Sequence, residues 1–193
     1  AGYYVEKCHP ADMSVKSEDQ LVAEIIKDII DGVGDTGIKA GIIGEIGCSW
    51  PLTPNERKSL RAAIRSQKLT GAPLLIHPDR CPESTIEIME IIVDMGGDPE
   101  RTVMSHIDCT IFDLATLGKL ADTGCYLNYD NFGLETSLYP GVDIEMPNDA
   151  NRIHQISYLI EIGYLRKVLM SHDICMKISL EKYGGYGYSH ILN

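Results

Sequence analysis

Four short apolar runs in this chain each stop at a side chain that can bind a metal. They are Gly41-Ile42-Ile43-Gly44-Glu45, Pro73-Leu74-Leu75-Ile76-His77, Thr102-Val103-Met104-Ser105-His106 and Val168-Leu169-Met170-Ser171-His172-Asp173. Runs of this length and make-up predict buried strands. Amphipathic, helix-like stretches separate them. Parallel strands linked by helices carry all their C-terminal ends to one face, so the residues that close these runs are expected to meet. Glu, His and Asp together form a mixed oxygen and nitrogen donor set of the kind zinc accepts.

The intervening stretches carry helix signals. Ser17 caps a helix reaching Asp31, with Leu21, Ile25, Ile26, Ile29 and Ile30 as its apolar stripe, and Gly32-Val33-Gly34-Asp35 closes it. Thr53, Pro54 and Glu56 form a capping box for a helix to Leu69, ended by Gly71. Ser84 opens a third helix to Met95, stopped by Gly96-Gly97, and two more are predicted over Phe112 to Asp122 and Asp149 to Ile162. Strands are predicted at Gly2 to Glu6, Ala40 to Ile46, Pro73 to Ile76, Thr102 to Ser105, Gly124 to Tyr129 and Lys167 to Ser171. A loop from Asp130 to Asn148, holding Pro140 and Pro147, and a Gly- and Tyr-rich tail from Lys182 to His190 are expected to be irregular.

Six strands alternating with five helices predict an α/β fold with a parallel sheet, either doubly wound or closed as a barrel. Their uneven spacing excludes a solenoid. No G-x-G-x-x-G or Walker sequence follows an early strand. Candidate ligands spread over several strand ends favour a barrel. The 193 residues are expected to form one domain. A formal net charge of -11 disfavours nucleic acid as a partner. No apolar run approaches the roughly 20 residues that span a bilayer. The opening residues lack the basic start and apolar stretch of a signal peptide, so a cytoplasmic protein is expected. The chain opens directly in Ala1-Gly2-Tyr3-Tyr4-Val5 and ends in Ile191-Leu192-Asn193, which reads as two cuts within a larger fold. None of the six cysteines pairs in a C-x-x-C. Cys48, Cys109 and Cys175 follow candidate ligands by two or three residues, yet reduced packing or loop thiols are the expected reading.

A carboxylate among Ile42, Ile43 and Ile46 is costly unless paired or bound to a metal, which nominates Glu45. A salt bridge to a lysine or arginine is the competing reading. His77 and His106 occupy equivalent strand ends, which makes ligation the better account of the pair than two separate core histidines. Asp108, two residues beyond His106, points the same way as His106, orients it as a neighbouring carboxylate, or is an ordinary solvated loop residue, and the pattern leaves these open. Met170-Ser171-His172 echoes Met104-Ser105-His106, but alternation along a strand keeps His172 and Asp173 from both pointing inward, and the pattern alone leaves both open. Tyr129, Tyr186, Tyr188 and Lys177 are weaker candidates for contacting a substrate.

Gly41-Ile42-Ile43-Gly44-Glu45-Ile46-Gly47, Ile76-His77-Pro78, Ser105-His106-Ile107-Asp108, Tyr129-Asp130, Ser171-His172-Asp173 and the Tyr183-Gly184-Gly185 tail together resemble the phosphotriesterase family of the amidohydrolase superfamily, in its phosphotriesterase-related animal branch. The resemblance covers essentially the whole chain. It implies a (β/α)8 TIM barrel of the metal-dependent hydrolase type, represented here as a single partial domain over residues 1–193 holding barrel strands three to eight. It also implies two divalent zinc ions, with Glu45 bridging, His77 and His106 on one metal, and Asp173 on the other as ligand and catalytic proton acceptor. The family's first strand carries a His-x-His pair that is absent here, and a fragment of a longer protein is the expected explanation.

The activity implied is hydrolysis of an amide or ester bond in a small molecule by a metal-activated water, with N-acyl amino acids or N-acyl taurines as the suggested substrates. A non-catalytic metal-binding or scaffold protein is the alternative, favoured by the missing His pair. A metal-free lyase would need a lysine at a strand end, and neither Lys39 nor Lys167 is placed there. No sequence feature bears on oligomeric state.

Overall fold

The structure is a computed structural model that describes residues 1–138 and 144–192. Pro140, in the long loop, and Asn193 lie outside the described residues. Five strands form one sheet: β1 (Ile43–Gly47), β2 (Leu74–His77), β3 (Thr102–Met104), β4 (Tyr126–Tyr129) and β5 (Val168–Met170). Their spatial order is their chain order, and every neighbouring pair is parallel. Between successive strands run α2 (Pro54–Thr70), α3 (Pro82–Asp94), α4 (Leu114–Asp122) and α5 (Asp149–Glu161), while α1 (Glu18–Ile30) precedes β1 and packs on α2. Crossovers between parallel strands are right-handed. With no reversal of strand order, right-handed crossovers place all four connecting helices on the same face. That is barrel winding, since a doubly wound sheet must reverse once.

The predicted first strand is the principal difference. Residues 1–5 form no strand of the sheet, yet they run beside β1, with Ala1 donating to Ile42 O at 3.0 Å and accepting from Gly44 N at 2.5 Å, and Tyr3 O accepting from Gly47 N at 3.1 Å. Gly2 at φ +135° breaks the extended run, so no regular ladder forms. The sheet therefore has five strands rather than about six. Two helices begin where their caps predict, whereas α3 starts at Pro82 behind Cys81 rather than at Ser84. Ser17 and Thr53 each close a capping box, and Gly71 ends α2 in the left-handed conformation.

The core lies between the sheet and the helix layer, with Ile43, Ile46, Leu74, Ile76, Met104 and Leu127 meeting Leu60, Ile64, Ile88 and Leu117. β5 is different. Leu169 and Met170 are exposed, although a parallel strand is normally covered on both faces. Among the described residues no helix is long and apolar enough to cross a membrane.

Glu56 does more than cap α2. Its carboxylate is fully buried and accepts from Thr53 N, Ser49 N and Oγ, and Glu6 N, at 2.8–3.1 Å. It thereby ties the N-terminal segment and the loop after β1 to the start of α2. Burial alone would raise its pKa, but these bonds outweigh that and hold it below the ordinary 4.5. A depressed carboxylate contributes stability that is present above its unfolded pKa and lost as pH falls through the folded value. We expect Glu56→Ala to lose roughly 2–4 kcal/mol at pH 7 by urea unfolding, because several buried donors lose their acceptor. The difference from wild type should shrink below about pH 4.

Candidate metal centre

Local backbone requirements aim three side chains at one point. Gly44 has φ +139°, and a Cβ there would stand 2.5 Å from Leu75 O, so β1 can lie this close to β2 only with glycine. Glu45 follows it and sits beside His77 at the end of β2. The backbone of β1 is pinned there, with Gly47 in register with His77 and Cys48 N donating to His77 O at 2.9 Å. His106 follows β3 in the left-handed conformation at φ 59°. For a non-glycine residue that costs on the order of 1–3 kcal/mol and needs support from its surroundings. Asp130, just past β4, supplies it: Oδ2 accepts from His106 N at 3.0 Å and Oδ1 pairs with His106 Nδ1 at 2.7 Å.

That pairing turns His106 Nε2 towards the other two residues. It lies 2.7 Å from His77 Nδ1 and 3.1 Å from Glu45 Oε1, while His77 Nδ1 lies 3.4 Å from the same oxygen. Donors on one tetrahedral zinc stand about 3.3 Å apart, from bond lengths of about 2.0–2.1 Å. The three donors need to spread only slightly to hold such an ion, so the residues present fit a divalent metal. The Tyr4 hydroxyl lies 2.9 Å from His77 Nε2 and 3.2 Å from Nδ1, the nitrogen that faces the cluster. It is brought there by the N-terminal segment, which crosses Gly47 so closely that a Cβ would stand 2.1 Å from Val5 N.

The charges suit a cation. Burial opposes ionisation of Glu45, but hydrogen bonds to His106 and His77 prevail and lower its pKa to about 2. Burial also works against a charged His106, yet Asp130 and Glu45 raise its pKa to about 9. Burial lowers the pKa of His77, and it raises that of Asp130 despite the bond to His106. The cluster is therefore anionic at Glu45, with a proton held between His106 and its carboxylate neighbours. A metal arriving at His106 Nε2 would release that proton.

The Phosphotriesterase family model matches residues 1–193. The chain belongs to the phosphotriesterase family. It is 48% identical over 193 residues to the N-acetyltaurine hydrolase of Mus musculus, covering all of this chain and 55% of that protein. It is 46% identical over 192 residues to a phosphotriesterase-related protein of Nematostella vectensis, again covering 55% of it. Among solved structures, the resiniferatoxin-binding protein of Rhodobacter sphaeroides superposes with TM-score 0.95 at 32% identity, over the full chain and 54% of that structure. The phosphotriesterase homology protein of Escherichia coli, complexed with phosphate in its active site, gives TM-score 0.89 at 30% identity and 63% coverage of that structure. The chain spans about half the length of these N-acetyltaurine hydrolase and phosphotriesterase-related relatives. The open five-stranded sheet is accordingly part of a phosphotriesterase-type (β/α)8 barrel.

Of the four residues the sequence nominates, the phosphotriesterase fold of this chain gathers Glu45, His77 and His106, whose donor atoms all lie within 4.8 Å of one another. Asp173 lies outside that group. It is exposed, with φ 42°, and it lines a separate cavity of about 200 Å³ with Asn131, Phe132, His172, Cys175 and Tyr186. Asn131 links the cavity lining to the site, since its Nδ2 donates to Asp130, the partner of His106. Burial raises the Cys175 thiol pKa, and the charges of both Asp173 and Glu45 add to the effect. His172 Nε2 accepts from Ile191 N at 3.2 Å, so that histidine holds the tail.

Asp108 does not touch His106. It is fully buried and accepts from Asn131 N and Nδ2 and from Arg152 Nε. The carboxylate that orients His106 is Asp130, which the strand pattern could have nominated, because it too closes an apolar run. Tyr129 is buried, and its hydroxyl finds no partner among the described residues. Tyr186 lines the cavity, whereas Tyr188 and Lys177 are exposed and do not.

Cys48, Cys109 and Cys125 are buried packing thiols. Burial pushes Cys109 up to about 12 and Cys125 up to about 11, and raises Cys48 as well. Cys8 and Cys175 are exposed. A chromogenic disulfide at pH 8 should therefore label Cys8 and Cys175 in the native chain. Cys48, Cys109 and Cys125 should react only after denaturation, as read by peptide mass mapping.

Proposed function

We propose that this chain forms the metal-binding part of a zinc-dependent hydrolase that cleaves an amide or ester bond of a small molecule, with N-acyl taurines or N-acyl amino acids as the substrate class. The convergence of Glu45, His77 and His106 from three strands at one point carries the reading. The similarity to proteins named N-acetyltaurine hydrolase supports the choice of substrate.

Glu45, His77 and His106 would hold the metal. When bound, a divalent ion supplies Lewis-acid chemistry, polarising the scissile carbonyl and acidifying a water near neutral pH. The remaining roles belong to the protein. Glu45 stays ionised to about pH 2 and provides the anionic ligand. Asp130 keeps His106 Nδ1 occupied, so that Nε2 is the donor offered. Asp173, which lines the cavity with Asn131 and His172, would accept the proton of the attacking water and would be a ligand for a second cation in the complete protein. Phe132, Leu134 and Met176 give that cavity apolar walls that exclude water from a small acyl group.

The test uses the full-length protein. Elemental analysis should find at least one equivalent of zinc, and acetate should be released from N-acetyltaurine. Glu45→Ala should abolish hydrolysis and weaken zinc binding by more than the roughly 10–100-fold that outer-sphere partners contribute. Hydrolysis that persists unchanged in Glu45→Ala, in protein free of transition metal, would reject the proposal.

A further inference from the structure

Arg152 of α5 is fully buried, although it touches none of the three clustered ligands. Its guanidinium is spread over three acceptors. Nε donates to Asp108 Oδ2 at 2.8 Å, Nη1 to Asp149 Oδ1 at 2.6 Å and Nη2 to Leu134 O at 3.1 Å. Asp108 is equally buried, and it accepts from Asn131 N at 3.0 Å and Asn131 Nδ2 at 2.9 Å. The same Asn131 amide nitrogen donates to Asp130 Oδ1 at 2.9 Å, and that oxygen is the partner of His106 Nδ1. Asp149, on the other side of the guanidinium, accepts from Gly133 N at 3.1 Å. Arg152 thus reaches the 130–134 segment from two directions at once.

We propose that Arg152 is a positioning residue for His106, acting through Asp108, Asn131 and Asp130. The inference rests on the metal-centre reading given under Proposed function. If α5 needed only to be glued to the sheet, apolar side chains of similar volume would serve at least as well, because a buried ion pair gains little over them. What the ion pair adds is direction. With Arg152 in place, Asp108 can turn one oxygen to the guanidinium and Asn131 N while the other receives the Asn131 amide. That amide on Oδ1, together with Asn128 Nδ2 donating to Oδ2 at 2.9 Å, then fixes which Asp130 oxygen faces His106 Nδ1. Take the guanidinium away and Asn131 is free to reorient, and Asp130 loses the donor that holds its Oδ1 in place. His106 Nε2 is then aimed less firmly at His77 and Glu45. A lysine presents a point charge and cannot serve three acceptors in the fixed plane of the guanidinium.

The experiment compares Arg152→Met, Arg152→Lys and the double variant Asp108→Asn/Arg152→Met in the full chain. The double variant removes both buried charges together, which keeps the comparison informative if Arg152→Met alone fails to fold. Co(II) affinity by chelator competition should fall about 10–100-fold in the double variant, the range expected for outer partners of a metal-bound histidine. The Co(II) d–d absorption band should change shape, and Arg152→Lys should restore only part of the affinity. His154→Ala, an exposed change on the same helix, should leave both unaltered. In metal-free protein, the imidazole ¹⁵N signals of His106 should shift in the double variant. A folded double variant with unchanged His106 signals, or with wild-type Co(II) affinity and spectrum, would overturn the proposal. If wild type takes up no Co(II), the metal-centre reading falls, and the metal-free His106 signals still decide the positioning role.

Discussion

The pairing of His106 with Asp130 is the contact on which the rest of the site depends. It joins the ends of β3 and β4, it supports His106 in a left-handed backbone, and it leaves Nε2 as the free face of the ring. Two bonds from one carboxylate to one residue set both the position and the rotation of the imidazole. Without them neither the approach to His77 nor the approach to Glu45 would be defined. Glycine at position 44 does the corresponding work for β1, by letting two strands approach more closely than any side chain would allow.

The centre is polar within an apolar sheet, and it stays stable because its charges compensate one another. Glu45 is ionised, His106 is inclined to carry a proton, and Asp130 lies behind it. Buried charge is tolerated only when paired and hydrogen-bonded. The same rule explains the second polar group, in which Arg152 pairs with buried Asp108 and shares partly buried Asp149 with His190. Asn131 connects the two groups, so a helix packed on one side of the sheet is linked by hydrogen bonds to the residues at its C-terminal ends.

Much of this was legible in the sequence. Apolar runs closed by polar residues located the strands, Ser17 and Thr53 located α1 and α2, and Glu45, His77 and His106 stood out because charge at the end of an Ile-rich run needs a reason. The strand predicted at residues 2–6 reads well by composition, but Gly2 bends it out of the ladder. The sequence pattern also suggested Asp108 as the carboxylate nearest His106, because it is two residues away along the chain. In three dimensions the left-handed turn at His106 sends Asp108 into the core, and Asp130 arrives from the next strand instead.

What the sequence determined alone, then, was the repeating strand and helix pattern and the identity of the residues at the strand ends, because periodicity and capping are local properties of the chain. Only the tertiary structure decided which of those residues meet. Glu45, His77 and His106 do, while Asp173 lines a separate cavity. Hydrogen bonds between residues tens of positions apart, such as Asp108 with Arg152 and His106 with Glu45, are set by sheet order and register, which no single stretch of sequence encodes.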